Sequence, residues 1–173
     1  MDNKTFDRRT LVDGISRAFA YEALSNGVTL RQARAMDDFF QAPQPIPGDP
    51  DNAVRRWQDI PDSELREHND VLPFLCPMAF RFYIPAFMIW AIKHLELRDA
   101  DSGLIGPTIY SFNLGTPSDS WHPDQLRRFE FLNLAQKISV CQFLRHLLRH
   151  DCLPSDVRIY LSLYWGQFCA GAD

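Results

Sequence analysis

The stretch from Val71 to Ile92, VLPFLCPMAFRFYIPAFMIWAI, limits what this chain can fold into more than any other part of it. It carries one charge, Arg81, among Phe74, Phe80, Phe82, Tyr83, Phe87 and Trp90. So long an apolar run is either a membrane span or the centre of a core. Three prolines (Pro73, Pro77, Pro85) and the mid-segment arginine weigh against the span, because arginine at a bilayer centre costs roughly 2.5–3.5 kcal/mol. The sequence therefore predicts a buried central helix, starting near Pro77 and running to about Leu97, apolar all round its wheel. Pro85 deletes the hydrogen bond to the carbonyl of Arg81, which predicts a kink or a break there.

A buried helix needs amphipathic partners, and the flanks supply them. From Asp7 to Ala23, Leu11, Val12, Ile15, Ala18 and Phe19 fall on one arc, with Thr5 as a cap and Asn26-Gly27 as the stop. Thr29 and Gln32 make a capping-box pattern for a second helix with Leu30, Ala33, Met36, Phe39 and Phe40 inward. Ala42 to Pro50, APQPIPGDP, reads as a surface crossover, since its four prolines fit neither helix nor sheet interior. A short third helix runs from Asp59 to about Asn69, with Trp57 and Ile60 packed at its start.

Beyond the central helix, Arg98 to His122 is broken by Gly103, Gly106, Pro107, Gly115 and Pro117, and Thr108 to Leu114 is read as extended coil. Pro123 opens a helix through about Leu132, and Asn133 caps the next, through about Asp151. On that helix Val140, Cys141, Phe143, Leu144, Leu147 and Leu148 form the apolar arc. Ser139, Gln142, Arg145, His146, Arg149 and His150 form the wet one. Pro154-Ser155-Asp156 starts a last helix with Ile159, Tyr160, Leu163 and Tyr164 inward, and Trp165 closes the core. The expected fold is all-α, a single domain over 1–173, with six or seven helices packed around the Pro-kinked central one.

Composition narrows the partners. The net charge is −4, distributed as −4 up to Cys76 (9 basic, 13 acidic), −1 to His122 (3 and 4) and +1 beyond it (6 and 5). That lacks the concentrated basic face a nucleic-acid binder needs, but an acidic N-terminal half suits a basic protein partner. The charged N-terminus, MDNKTFDRRT, has no signal-peptide core, and Cys76, Cys141, Cys152 and Cys169 have no C-x-x-C spacing. Both point to a cytoplasmic protein with free thiols, neither in nor on a membrane.

No complete catalytic or metal motif is present. His146 and His150 have the i, i+4 spacing of zinc ligands, yet Leu147 stands where the metalloprotease pattern has glutamate, and Arg145 and Arg149 share the face. No metal and no cofactor are expected. His68, beside Glu64, Glu67 and Asp70, could serve as a base, but no nucleophile shows its motif context. Arg81 must pair with a carboxylate, Asp70 being nearest in sequence before the helix, snorkel out to water, or bind a ligand. Tyr110, Phe112 and Trp121 lie in an aromatic, polar loop of the kind found at binding faces, unless these rings fold back onto the core beneath it. The candidate binding residues are thus Arg81, Tyr110, Phe112, Trp121, Arg145, His146 and Arg149, and none is assigned a catalytic role.

The densest part of the chain also carries a resemblance. W-x-D-I-P at Trp57 to Pro61, then Leu65, His68 and Asp70, leads into F-L-x-P-x-A-F-R-F-Y-x-P-A-F from Phe74 to Phe87. This resembles a small bacterial family of unknown function, over about residues 54 to 95, with Phe143 to Leu147 and Tyr164-Trp165 fitting more loosely. The resemblance implies a compact helical domain and carries over no catalytic residue. Small bacterial proteins of this kind act as partners of other gene products, including immunity proteins of toxin pairs, by analogy. The expected function is a non-enzymatic protein-binding module, an immunity-type inhibitor of a cognate toxin. The alternatives are a small hydrolase or transferase using a His/carboxylate pair, and a homo-oligomer with Trp121 in the contact.

Overall fold

A computed structural model describes residues 8–24, 28–39, 56–95, 103 and 105–169. In chain order the helices are α1 (Arg8–Ala18), α2 (Leu30–Phe39), α3 (Asp62–Glu67), α4 (Pro77–His94), α5 (Ile105–Tyr110), α6 (His122–Glu130), α7 (Leu134–Arg149) and α8 (Pro154–Leu163). Single 3₁₀ turns stand at Trp57–Asp59, Leu72–Phe74 and Trp165–Phe168. There is no strand among the described residues. The fold is all-α, as expected. The capping signals at Thr5 and Asn26-Gly27, and the crossover Ala42 to Pro50, lie outside the described residues.

The apolar stretch becomes α4, buried from Ala79 to Ile92 except at Arg81. Pro77 occupies its first turn, where a missing N–H costs nothing, and the helix runs on as one element through Pro85. α1, α3, α5 and α6 pack against it, so its Phe, Tyr and Trp side chains meet protein on every side. Each such side chain contributes roughly 1.5–3 kcal/mol by leaving water. No helix among the described residues is long and apolar enough to cross a membrane.

Its one charge is met by Glu22, just after α1, and not by Asp70. Arg81 Nε lies 2.6 Å from Glu22 Oε2, and the guanidinium rests 4.5 Å from the Phe131 ring centroid. Glu22 also accepts from Gln136 Nε2 at 2.6 Å. Gln136 is itself locked by a capping box in which its backbone N–H donates to Asn133 Oδ1 and its Oε1 accepts from the Asn133 N–H, both at 3.0 Å. Asp70 is held instead by Arg34. The capping box predicted at Thr29 and Gln32 is formed, the two residues bonding reciprocally at 2.9 and 3.1 Å.

Several expectations need correction. α1 stops at Ala18 rather than Ala23, because the Phe19 carbonyl accepts from Trp57 Nε1 at 2.8 Å and draws the chain out of the helix. The predicted third helix is a 3₁₀ turn and a separate α3, with Ile60 and Pro61 extended between them. The segment read as coil begins as α5. Pro107 sits in its first turn, where the helix can accept it, so the count rises to eight among the described residues. On α8, Val157 and Tyr160 face inward, whereas Ile159 and Leu163 are exposed.

The wet arc of α7 is narrower than periodicity suggested. α1 packs along one side of α7 and α8 along another, so Ser139 and His146 are buried while Arg145, Arg149 and His150 remain outside. The free-thiol expectation fails for two of the four cysteines. Cys141 on α7 is bonded to Cys169, with Cα atoms 5.7 Å apart, and this staples the C-terminal 3₁₀ turn to the bundle. Cys76 and Cys152 are free. Trp165 closes the core as expected, its Nε1 donating to the Phe112 carbonyl at 2.9 Å.

Two outcomes follow from these burials. Unreduced, denatured protein should titrate two thiols, Cys76 and Cys152, and four after reduction. Loss of a staple spanning 28 residues should cost about 2–4 kcal/mol in a denaturant melt. Four thiols in the oxidised protein would refute the pairing.

The second outcome is acid lability. Burial, with the charges of His150, Arg149 and Arg8, pushes the His146 imidazole from its ordinary 6.5 down to about 4. Between those values the unfolded chain binds a proton that the native state refuses. Stability should therefore fall as pH drops from about 6.5 to about 4, by up to about 3 kcal/mol from this residue. Buried His68 is shifted the same way, mainly by desolvation. His146→Gln should flatten the pH profile of the melting midpoint by the His146 share. An unchanged profile would show that residue 146 does not titrate under constraint.

Candidate functional site

The sequence sends the chain past the N-terminus of α4 through Pro73, Phe74, Leu75 and Cys76, then returns it through α5 and the loop into α6. Prolines at both places (Pro73, Pro77, Pro107) keep these segments from extending their helices into one another. Between them opens a cleft of about 1160 Å³, walled by Phe74, Leu75, Tyr110 and Trp121, with Arg128 and Gln125 of α6 behind. Phe74 is 48%, Tyr110 53% and Trp121 36% exposed, so three large aromatic rings face solvent around one concavity.

Local devices hold these rings. Gly115 has φ +69°, and a side chain at that position would collide with the Trp121 indole, so only glycine allows both the turn and the ring above it. The loop is closed by Asp119, whose carboxylate accepts from the Thr116 N–H at 2.6 Å and its hydroxyl at 3.0 Å. Those bonds hold the Asp119 carboxyl below its usual range. Gln125 Nε2 donates to the Ser111 carbonyl at 2.5 Å, tying α6 to the end of α5. Arg128 Nη1 donates to the carbonyls of Leu72, at 3.4 Å, and Pro73. Burial lowers the guanidinium's pKa, against a smaller opposing effect of Asp124.

Of the seven residues singled out from sequence, the cleft gathers Tyr110 and Trp121. Phe112 is fully buried, packed edge-on against Trp165 at 5.6 Å between centroids, and offers no surface. Arg81 sits in its ion pair with Glu22. Arg145 and Arg149 are exposed on α7, outside the cleft lining, and His146 is buried beside them. Phe74, Cys76, Gln125 and Arg128 were not anticipated. One signal was available for the last two: Gln125, Arg128, Phe129 and Leu132 share one helical stripe, so the side that buries Phe129 also buries an arginine.

A second polar cluster lies on α3 and just beyond it. His68 is buried, with Nε2 3.6 Å from Glu64 Oε2 and 4.0 Å from Glu67 Oε1. Arg31 of α2 approaches the same glutamates, at 2.7 Å from Glu64 and 3.9 Å from Glu67. Glu64, Glu67 and His68 are the one group among the described residues whose ligand atoms, within 4.8 Å of one another, could hold a metal ion. The Arg31 cation already neutralises part of that acid pair and makes the cluster a poorer metal site. None of these three residues lines the cleft.

No curated protein and no solved structure matches this chain. A family model matches it over residues 7–168, from α1 to the last 3₁₀ turn, which takes in the cleft and both polar clusters. The chain therefore belongs to a family of unknown function, DUF6714.

Proposed function

We propose that this chain is a non-enzymatic protein-binding module of the immunity type, and that its partner docks in the aromatic cleft. The observation that carries the reading is the exposure of Phe74, Tyr110 and Trp121 around one concavity. A contiguous exposed apolar patch on a folded chain favours a partner, and rigid aromatic rings supply contact area at small entropic cost. The excess of acid in the N-terminal half, −4 up to Cys76, would steer a basic partner toward this end of the chain.

The hydrolase alternative depends on a His/carboxylate pair. His68 and Glu64 make such a pair, but the imidazole is 4% exposed and outside the cleft lining, so a substrate in the cleft does not reach it. Cys76 is the thiol in the cleft, and no histidine lines the cleft beside it.

Wild type, Tyr110→Ser and Trp121→Ser, used as baits in the native host, test the reading. Wild type should retain one polypeptide in roughly equimolar amount. Each variant should melt within about 1 kcal/mol of wild type yet lose that polypeptide by tenfold or more, as truncation of an aromatic anchor does. Expressed alone, the retained polypeptide should arrest growth, and co-expression of this chain should relieve the arrest. Retention that ignores both substitutions would remove the cleft from the binding face. A harmless partner would remove the immunity form of the reading.

A further inference from the structure

We propose that the cleft takes the C-terminal end of a polypeptide, its carboxylate seated on the Arg128 guanidinium and its last apolar side chains against Phe74, Tyr110 and Trp121. This rests on the cleft being the binding face.

The reason is an uncompensated charge. Arg128 is 6% exposed, and none of the ion pairs among the described residues includes it. Its Nη1 is engaged with two backbone carbonyls, while Nε and Nη2 make no hydrogen bond among the described residues. Asp124, one turn earlier on α6, instead faces Arg127 at 3.6 Å and is largely exposed. A buried cation stabilised by two carbonyl dipoles alone still lacks a counter-ion. A planar guanidinium with free donors matches a carboxylate better than any other common group.

The layout of the cleft selects the kind of carboxylate. The cation is the most buried charged group of its lining, the aromatic rings flank it, and the acids Asp70 and Asp124 stand exposed at the margin beside Arg127. A ligand must therefore carry its acid at the leading tip and apolar groups behind it. A chain terminus has that order. An internal Asp or Glu brings backbone on both sides and must thread the cleft from end to end. The volume, about 1160 Å³, lies at or beyond the roughly 300–1,000 Å³ of small-molecule pockets, which favours a peptide segment. Capture of a terminal carboxylate is a recurring peptide-recognition mode.

Calorimetric titration with an acetylated pentapeptide ending Leu-Phe tests this, using its free acid, its C-terminal amide, and an amide carrying one internal glutamate. The free acid should bind wild type about tenfold or more tightly than either amide, the effect of about one charge-assisted contact. Arg128→Gln should erase the difference. Because Arg128 also holds the carbonyls of Leu72 and Pro73, the wild-type comparison carries the test without any substitution. A second readout on wild type is the rate of N-ethylmaleimide reaction at Cys76, which the free acid should slow and the amide should not, with Cys152 as internal control. If acid and amide bind equally and Trp121→Ser weakens both, the carboxylate seat is wrong while the cleft reading stands. If the internal glutamate does as well as the free terminus, the chain-end assignment is wrong. Absence of binding by all three at about 1 mM peptide overturns the proposal.

Discussion

The contact between Glu22 and Arg81 is the constraint on which this fold turns. α4 is apolar on all sides except at Arg81, and a lone arginine there would have to leave the core or find an acid. Glu22 meets it at 2.6 Å and also takes a hydrogen bond from Gln136. One carboxylate thus fixes the exit of α1, a turn of α4 and the first turn of α7. Phe131 lays its ring on the same guanidinium, which brings the end of α6 to the same point. The aromatic mass of α4 supplies the larger free energy. The ion pair decides which way the helices sit around it.

That arrangement also explains where a binding face can lie. The side of α4 that carries Arg81 is occupied by Glu22 and Phe131, so the arginine is spent on structure. At its N-terminus, by contrast, α4 starts with a proline after a 3₁₀ turn, and Phe74 is left about half exposed. α5 and α6 approach that end closely enough to enclose a cleft but leave Tyr110 and Trp121 partly exposed. The opening is a consequence of the prolines, which stop Leu72–Phe74, α4 and α5 from lengthening into it.

Much of this could be read from sequence, for physical reasons that particular residues make plain. The burial of α4 followed from apolar mass with no polar face. The capping box at Thr29 and Gln32 and the cap at Asn133 followed from sequence, because a cap is a local bond between residues three apart. What periodicity could not give was contact from a second side. His146 looked wet because one face of α7 was assumed covered, whereas α1 and α8 cover two. That Arg81 pairs with a carboxylate was legible, but which one was not, because Glu22 is distant in sequence while Asp70 is near. The Cys141–Cys169 bond was missed because its two half-cystines lie on different elements with no local spacing signal. The cleft was half legible. Tyr110 and Trp121 advertised themselves as loop aromatics, while Arg128 was hidden on a helix face shared with Phe129.

A double-mutant cycle on Glu22 and Arg81 tests the central claim most directly. Glu22→Gln, Arg81→Met and the double variant would each be melted in denaturant, with Gln136, Asn133 and Phe131 left intact. Both side chains are partly exposed, at 14% and 29%, so the coupling expected is about 1–2 kcal/mol, between surface and fully buried pairs. Effects that simply add, within about 0.3 kcal/mol, would mean that Arg81 and Glu22 do not depend on one another and that the helices are oriented by something else.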